Sequence, residues 1–130
     1  MAYQEKNFQS EFNRWIKYNF KGSAAFELKI SKGLSLPFSA LKEHQQHSLW
    51  AVKHGDLVYK IPDLGFQNPF DCFKLSQLPA FVVVLFYKGP GKKREFVMID
   101  IDMWAREAKK SMRKSLTEDR AREIGITYTL

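Results

Sequence analysis

Glu27 and Lys29 stand two residues apart in the stretch Ala24-Ala25-Phe26-Glu27-Leu28-Lys29-Ile30. In an extended chain residues i and i+2 leave the same face about 7 Å apart, so a carboxylate and an ammonium are held side by side on a rigid element. Such a pair suits metal-assisted hydrolysis of a phosphodiester. The carboxylate ligates Mg²⁺, a hard cation that prefers oxygen, while the lysine orients or polarises the attacking water or neutralises charge developing on the phosphate. A solvated Glu/Lys pair on an exposed strand face has the same spacing, so the surrounding elements must decide between the two.

From Tyr3 to about Tyr18 the residues Phe8, Phe12, Trp15 and Ile16 recur at helical spacing, which predicts an amphipathic first helix. Glu11 then lies at the margin of its buried stripe. Lys21-Gly22-Ser23 reads as a turn into the Glu27 strand, whose alternation sends Phe26, Leu28 and Ile30 to one face and Ala25, Glu27 and Lys29 to the other. After a loop over Gly33 to Pro37, Ser39 is the expected cap of a helix running to about Lys53, with Gly55 as its stop. Leu41, Gln45, Ser48, Leu49 and Val52 share its inner face, so Gln45 is a polar residue in an otherwise largely apolar row. It either hydrogen-bonds a loop carbonyl or neighbours the Glu27 site.

Strands are predicted over Leu57 to Ile61, Phe70 to Leu75, Ala80 to Tyr87 and Glu95 to Ile101. The run Ala-Phe-Val-Val-Val-Leu-Phe-Tyr lacks alternation, as a central strand covered on both faces does. Trp104 to Met112 reads as a helix, and Ser115-Leu-Thr-Glu118 as a capping box opening a short helix that Gly125 ends. The order implies a single α/β domain over residues 1–130, a mixed sheet flanked by helices.

Composition narrows the partner. The chain has 130 residues, 45% hydrophobic and 15% aromatic, which excludes a disordered chain and a multidomain machine alike. Lys and Arg number 21 against 14 Asp and Glu, a net +7 that suits a polyanion such as nucleic acid or an acidic membrane surface. The longest apolar run, Ala80 to Tyr87, falls well short of the about 20 residues of a bilayer-spanning helix. No secretory leader is expected, no membrane partner is expected, and the expected compartment is the cytoplasm.

Basic residues cluster at Lys88, Lys92, Lys93 and Arg94, and again at Arg106, Lys109, Lys110, Arg113 and Lys114. With Lys17, Lys21 and Lys32 they make a phosphate-binding surface, since each neutralised phosphate releases counterions; solvated charge is the plainer alternative. His44, His47 and His54 lack a third His or Cys at ligand spacing and make a poor zinc set, so surface or DNA-contact roles are expected. Cys72, the only cysteine, is expected to be a small buried residue.

The stretch Ala24 to Leu49, with Phe26, Glu27, Lys29, Leu36, Pro37, Phe38, His44 and Gln45 in order, resembles the RecU-type Holliday junction resolvases of the PD-(D/E)XK nuclease superfamily. The resemblance implies a restriction-endonuclease-like fold and a homodimer that cuts branched double-stranded DNA with Mg²⁺, for which Mn²⁺ substitutes, in a bacterial or phage-infected cell. It implies that Glu27 binds metal, that Lys29 assists the nucleophile, that Gln45 organises the site and that Glu11, on the first helix, completes or supports the metal shell. The superfamily usually supplies a further Asp from a strand upstream, and no Asp precedes Glu27. Pro69-Phe70-Asp71, opening a strand ahead of the central apolar one, looks like the missing hairpin moved downstream. Asp71 is therefore the expected second metal ligand, provided its strand lies beside that of Glu27; otherwise it caps the Pro69 turn. Asp63 is a weaker candidate, and Asp100 and Asp102 are expected to cap a helix. The competing functions are a nuclease of this fold acting on other branched or linear DNA, and a DNA-binding module without catalysis.

Overall fold

The computed structural model describes residues 2–60 and 72–130. Its centre is β5 (Ala80–Phe86), flanked by β1 (Ala25–Ser31) in parallel and by β6 (Glu95–Asp100) in antiparallel pairing. β8 (Ile126–Thr129) joins antiparallel to β6, giving the order β1-β5-β6-β8 among the described residues. This is a mixed sheet flanked by helices, as the sequence implies. The unalternating apolar run is buried because both of its faces are covered: Val82, Val84 and Phe86 enter one core, Val83 and Leu85 the other.

The first core lies under α1 (Glu5–Asn19), whose Phe8 and Phe12 are fully buried against Phe26, Phe96 and Trp15. The second holds Leu49 and Val52 of α2 (Glu43–His54) and Ile101 and Trp104 of α3 (Ile101–Lys110). A short ribbon of β2 (Ser35–Pro37) and β7 (Ser115–Thr117) adds Leu36 and Leu116 to the second core, and α4 (Glu118–Ile124) adds Ala121. At the start of β8 the chain passes so close to β6 that a Cβ on Gly125 would lie 2.8 Å from the Met98 carbonyl oxygen. Only glycine fits that crossing without moving β6.

Several boundaries differ from the sequence reading. Ser39 caps nothing: Phe38–Ala40 forms a 3₁₀ turn, Leu41 drops into the core, and α2 starts at Glu43 with Lys42 at its cap position. The competing force is burial of Leu41, which is 4% exposed and is better placed by a tight turn than by an early helix. α3 begins at Ile101, because the Asp100 side chain accepts the Asp102 N–H at 3.0 Å. That is the capping role expected of Asp100. Thr117, not Ser115, caps α4, its hydroxyl accepting the Arg120 N–H, since Ser115–Thr117 are drawn out as β7.

Candidate functional site

β1 runs at the edge of the sheet, in register with β5 so that Glu27 lies opposite Val82 and Lys29 opposite Val84. The side chains of Glu27 and Lys29 thus leave the sheet on the face of Val82 and Val84, toward α2, while Phe26, Leu28 and Ile30 pack under α1. Lys29 Nζ lies 3.6 Å from Glu27 Oε1. The lysine side chain is only 12% exposed and the glutamate 29%, so this is a pair set into the rim of the core and not a solvated one. Burial excludes water from the ammonium and strengthens its field on whatever stands beside Glu27.

α2 closes over this face. Gln45 Oε1 accepts the Lys42 N–H at 2.9 Å, which satisfies an orphan donor of the helix start and fixes the side chain. The bond is to an amide N–H and not to a carbonyl, so the Gln45 amide NH₂ remains a donor. A cleft of about 480 Å³ opens between β1, α2 and β3 (Asp56–Lys60), lined by Glu27, His44, Gln45 and Ser48 and closed by Leu57 and Tyr59. Glu27 and Gln45 therefore share one cavity. Ser48, whose hydroxyl donates to the His44 carbonyl, and Tyr59 were not singled out from the sequence. The period-two pattern Leu57/Tyr59 was the one available sign of the latter.

β3 pairs antiparallel with β4 (Cys72–Ser76) as a two-stranded ribbon. The described strand that follows Asp71 thus pairs with β3 and not with β1, contrary to the expectation that it would lie beside Glu27. Leu57 and Leu75 hold the ribbon against the second core instead. Phe73 and Leu75 share the ribbon face of Tyr59 and Leu57, the residues by which β3 lines the cleft. Asp71 and Asp63 lie outside the described residues. Cys72 is exposed, not buried. It opens β4 opposite Lys60, at the solvent-facing end of the ribbon.

Glu11 is not at this site. It sits on the other side of the sheet, where Arg94 Nε donates to its Oε2 at 2.9 Å, beside Leu130 after β8. β1 lies two to three strand spacings away, roughly 10–14 Å. Arg94 also covers the Tyr3 ring at 5.6 Å, and Tyr3 stacks on Tyr87 at 4.6 Å. Burial, and then the Glu11 carboxylate, hold the Tyr3 hydroxyl well above its ordinary range. The α1 residues that do approach the edge of β1 at Glu27 are Glu5, Gln9 and Asn13. Helical spacing located the stripe, but not which of its two margins faces β1.

The basic residues separate along the strands. Lys17 and Lys21 lie at the end where α1 leads into β1; Lys32 follows the other end of β1, the end of the exposed Lys92 and Lys93 turn. α3 runs back toward that second end, bringing Lys109, Lys110, Arg113 and Lys114 toward β7 and its partner β2. Arg106 is exposed and its guanidinium donates to Met103 Sδ. Arg94 is spent on Glu11, and Lys88 pairs with Glu118. Asp102 binds Lys53 and His54, each at 2.7 Å, and Lys53 also binds Asp100 at 2.7 Å, which ties the end of α2 to the start of α3. Burial opposes charge on Asp102, yet hydrogen bonds from Lys53 and His54 win and hold its carboxyl below the ordinary range.

Among the described residues no three His, Cys, Asp or Glu side chains converge as a metal site. Glu27 is the one carboxylate of the cleft lining, and none of the described side chains hydrogen-bonds its oxygens. A Mg²⁺ ion needs only one or two protein carboxylates beside water and phosphate oxygens, so this donor set fits one once a second acid is added. No helix of the described residues is long and apolar enough to cross a membrane. No protein family, curated protein or solved structure matches the chain.

Proposed function

We propose that the chain is a metal-dependent DNA endonuclease of restriction-endonuclease-like fold that resolves four-way junctions. The observation that carries this reading is the Glu27–Lys29 pair, half-buried on an edge strand, with Glu27 lining a cleft that it shares with Gln45. A surface pair of no consequence has no reason to sit 12% and 29% exposed at the mouth of a cavity. The order of strand, Pro37 loop and Gln45 helix also follows the resemblance drawn from the sequence.

Glu27 would hold Mg²⁺ together with a second acid, for which we propose Asp71, next in sequence to the β3–β4 ribbon whose β3 lines the cleft although β4 does not lie beside β1. When bound, the ion supplies Lewis-acid activation of the phosphate and of the attacking water. Lys29 orients that water or neutralises charge that develops on the phosphate in the transition state, an effect enlarged by its burial. Gln45, fixed by its Lys42 bond, offers its NH₂ to the water or to a phosphate oxygen. In-line attack of water breaks the P–O3′ bond, and the products are a 5′-phosphate and a 3′-hydroxyl. Two symmetric cuts need two such sites, hence a homodimer.

Incubation of a labelled four-way junction with the protein and Mg²⁺ or Mn²⁺ tests this reading. Paired symmetric nicks are expected, with flaps, forks and linear duplex left largely intact. One observation favours a second reading, a DNA-binding module without catalysis: among the described residues Glu27 is the only carboxylate that lines the cleft. Tight junction binding with no nick in either metal is the result of that alternative.

A further inference from the structure

A second groove, of about 630 Å³, runs between α2 and α3 on the outer side of α2. Its floor is Ile101 and Ala105, and its α2 wall carries Glu43, His44, His47 and Trp50. Trp50 is 49% exposed, whereas Trp104 is buried and Trp15 is packed under Phe96 and Tyr128. Its indole is bracketed along the helix by His47, with ring centroids 6.4 Å apart and planes 19° from parallel, and by His54 at 5.5 Å and 40°. Three π-faces at i, i+3 and i+7 thus form a ladder on one exposed stripe.

We propose that this groove holds an unpaired nucleotide of the DNA strand, its base stacked on Trp50 and His47 and its phosphate on Lys109. The inference rests on the nuclease reading in taking DNA as the ligand and in placing a phosphate at Glu27. The lining argues for a base against an aliphatic partner, since its aliphatic residues are Ile101 and Ala105 while the rest are rings and polar groups. Indole and imidazole faces accept any base, with little sequence preference. Lys109 lies one turn beyond Ala105 on the same α3 stripe, is exposed, and has no carboxylate partner among the described residues. Glu43 is the one formally charged residue of the lining, so the positive charge that meets the phosphate comes from Lys109 beside the groove and not from its walls.

Position supports the same occupant. His44 lines both this groove and the Glu27 cleft, so the two open on either side of one residue at the start of α2. Gln45 and Trp50 are five residues apart, about 8 Å along the helix axis, which is the reach of a nucleotide or two from the phosphate at Glu27. A strand splayed at a branch point would place an unpaired base there while its neighbour is cut.

Tryptophan emission tests this without any cleavage. In EDTA, oligo(dT) should quench the emission saturably and blunt duplex should not. Trp50→Ala should weaken oligo(dT) binding, read by anisotropy of a labelled oligonucleotide, by about tenfold to a hundredfold, the worth of one stacked base. Trp50→Phe should lose the quenching but stay within a few-fold in affinity. Lys109→Ala should weaken binding and flatten its salt dependence by about one counterion. Circular dichroism melts would verify that the variants fold, and because the quench is read in EDTA it stands or falls whether or not the protein proves to be a nuclease. Unchanged oligo(dT) affinity in Trp50→Ala, or quenching that survives in Trp50→Phe, would overturn the proposal. So would a Trp50→Ala protein that changes its oligomeric state but not its DNA binding, which would make a second copy the occupant.

Discussion

The environment of single residues separates the acids tied into ion pairs across the fold from Glu27, the one proposed for chemistry. Glu27 keeps its oxygens free beside Lys29, whereas Glu11 is consumed by Arg94 and Asp102 by Lys53 and His54. Glu11→Gln is therefore expected to leave junction cleavage within a few-fold of wild type while lowering stability by about 1 kcal/mol, the scale of a half-exposed ion pair, read by urea melts. A carboxyl held low by folding adds stability above its unfolded pKa and loses it as pH falls through the folded value. Asp102 should thus contribute fully at neutral pH and progressively less below about pH 4, and Asp102→Asn should flatten the acid limb of a plot of urea midpoint against pH. Lys53, raised by the same carboxylates against the opposing effect of burial, adds stability at all pH values below its ordinary range and loses it only in strong alkali. It leaves the acid limb to Asp102. The Glu27–Lys29 pair was legible in the sequence because strand alternation fixes which residues share a face. The wrong assignment of Glu11 shows the limit: 3.6-residue periodicity gives a stripe, but its two margins differ only through the sheet beneath.

At the level of elements, the strongly patterned segments are legible in the sequence and the strands of three or four residues are not. Phe8, Phe12, Trp15 and Ile16 gave α1, and the uninterrupted run through Val82, Val83 and Val84 gave the central strand. β2 and β7 are three residues each and owe their existence to pairing with one another, which no local pattern encodes. β8 has no counterpart among the expected strands although Ile126-Thr127-Tyr128-Thr129 alternates, because four residues are too few for alternation alone to mark a strand. Gly125 also lets β8 approach β6 to within a Cβ's radius. Gly125→Ala should cost about 1–3 kcal/mol, as overpacking against a backbone carbonyl does, and a thermal melt with a correspondingly lower midpoint would report it. A midpoint equal to wild type would mean that β8 can slide away freely.

For the whole molecule, the sheet divides the labour: α1 and its aromatic core support one face, while α2, α3 and the β3–β4 ribbon build the cleft and groove on the other. Positive charge gathers at the end of the sheet holding Lys32, Lys92, Lys93 and the chain after α3. Several phosphate contacts there should make log K for junction binding fall with log salt at about −0.9 per contact, and Lys92→Glu with Lys93→Glu should reduce that slope. A salt-independent affinity would remove this surface from the account. We propose that Glu27 acts on the phosphodiester as a metal-held carboxylate, with Asp71 as the partner acid. Its most direct test is the single-turnover cleavage rate of a four-way junction in Mg²⁺ for wild type, Glu27→Gln and Asp71→Asn, with junction affinity measured in Ca²⁺ alongside. The account predicts paired cuts by the wild type and a rate at least about a thousandfold lower in Glu27→Gln and in Asp71→Asn, the loss of several kcal/mol of charge stabilisation, at affinities within a few-fold. Cleavage at the wild-type rate by Glu27→Gln would contradict it outright.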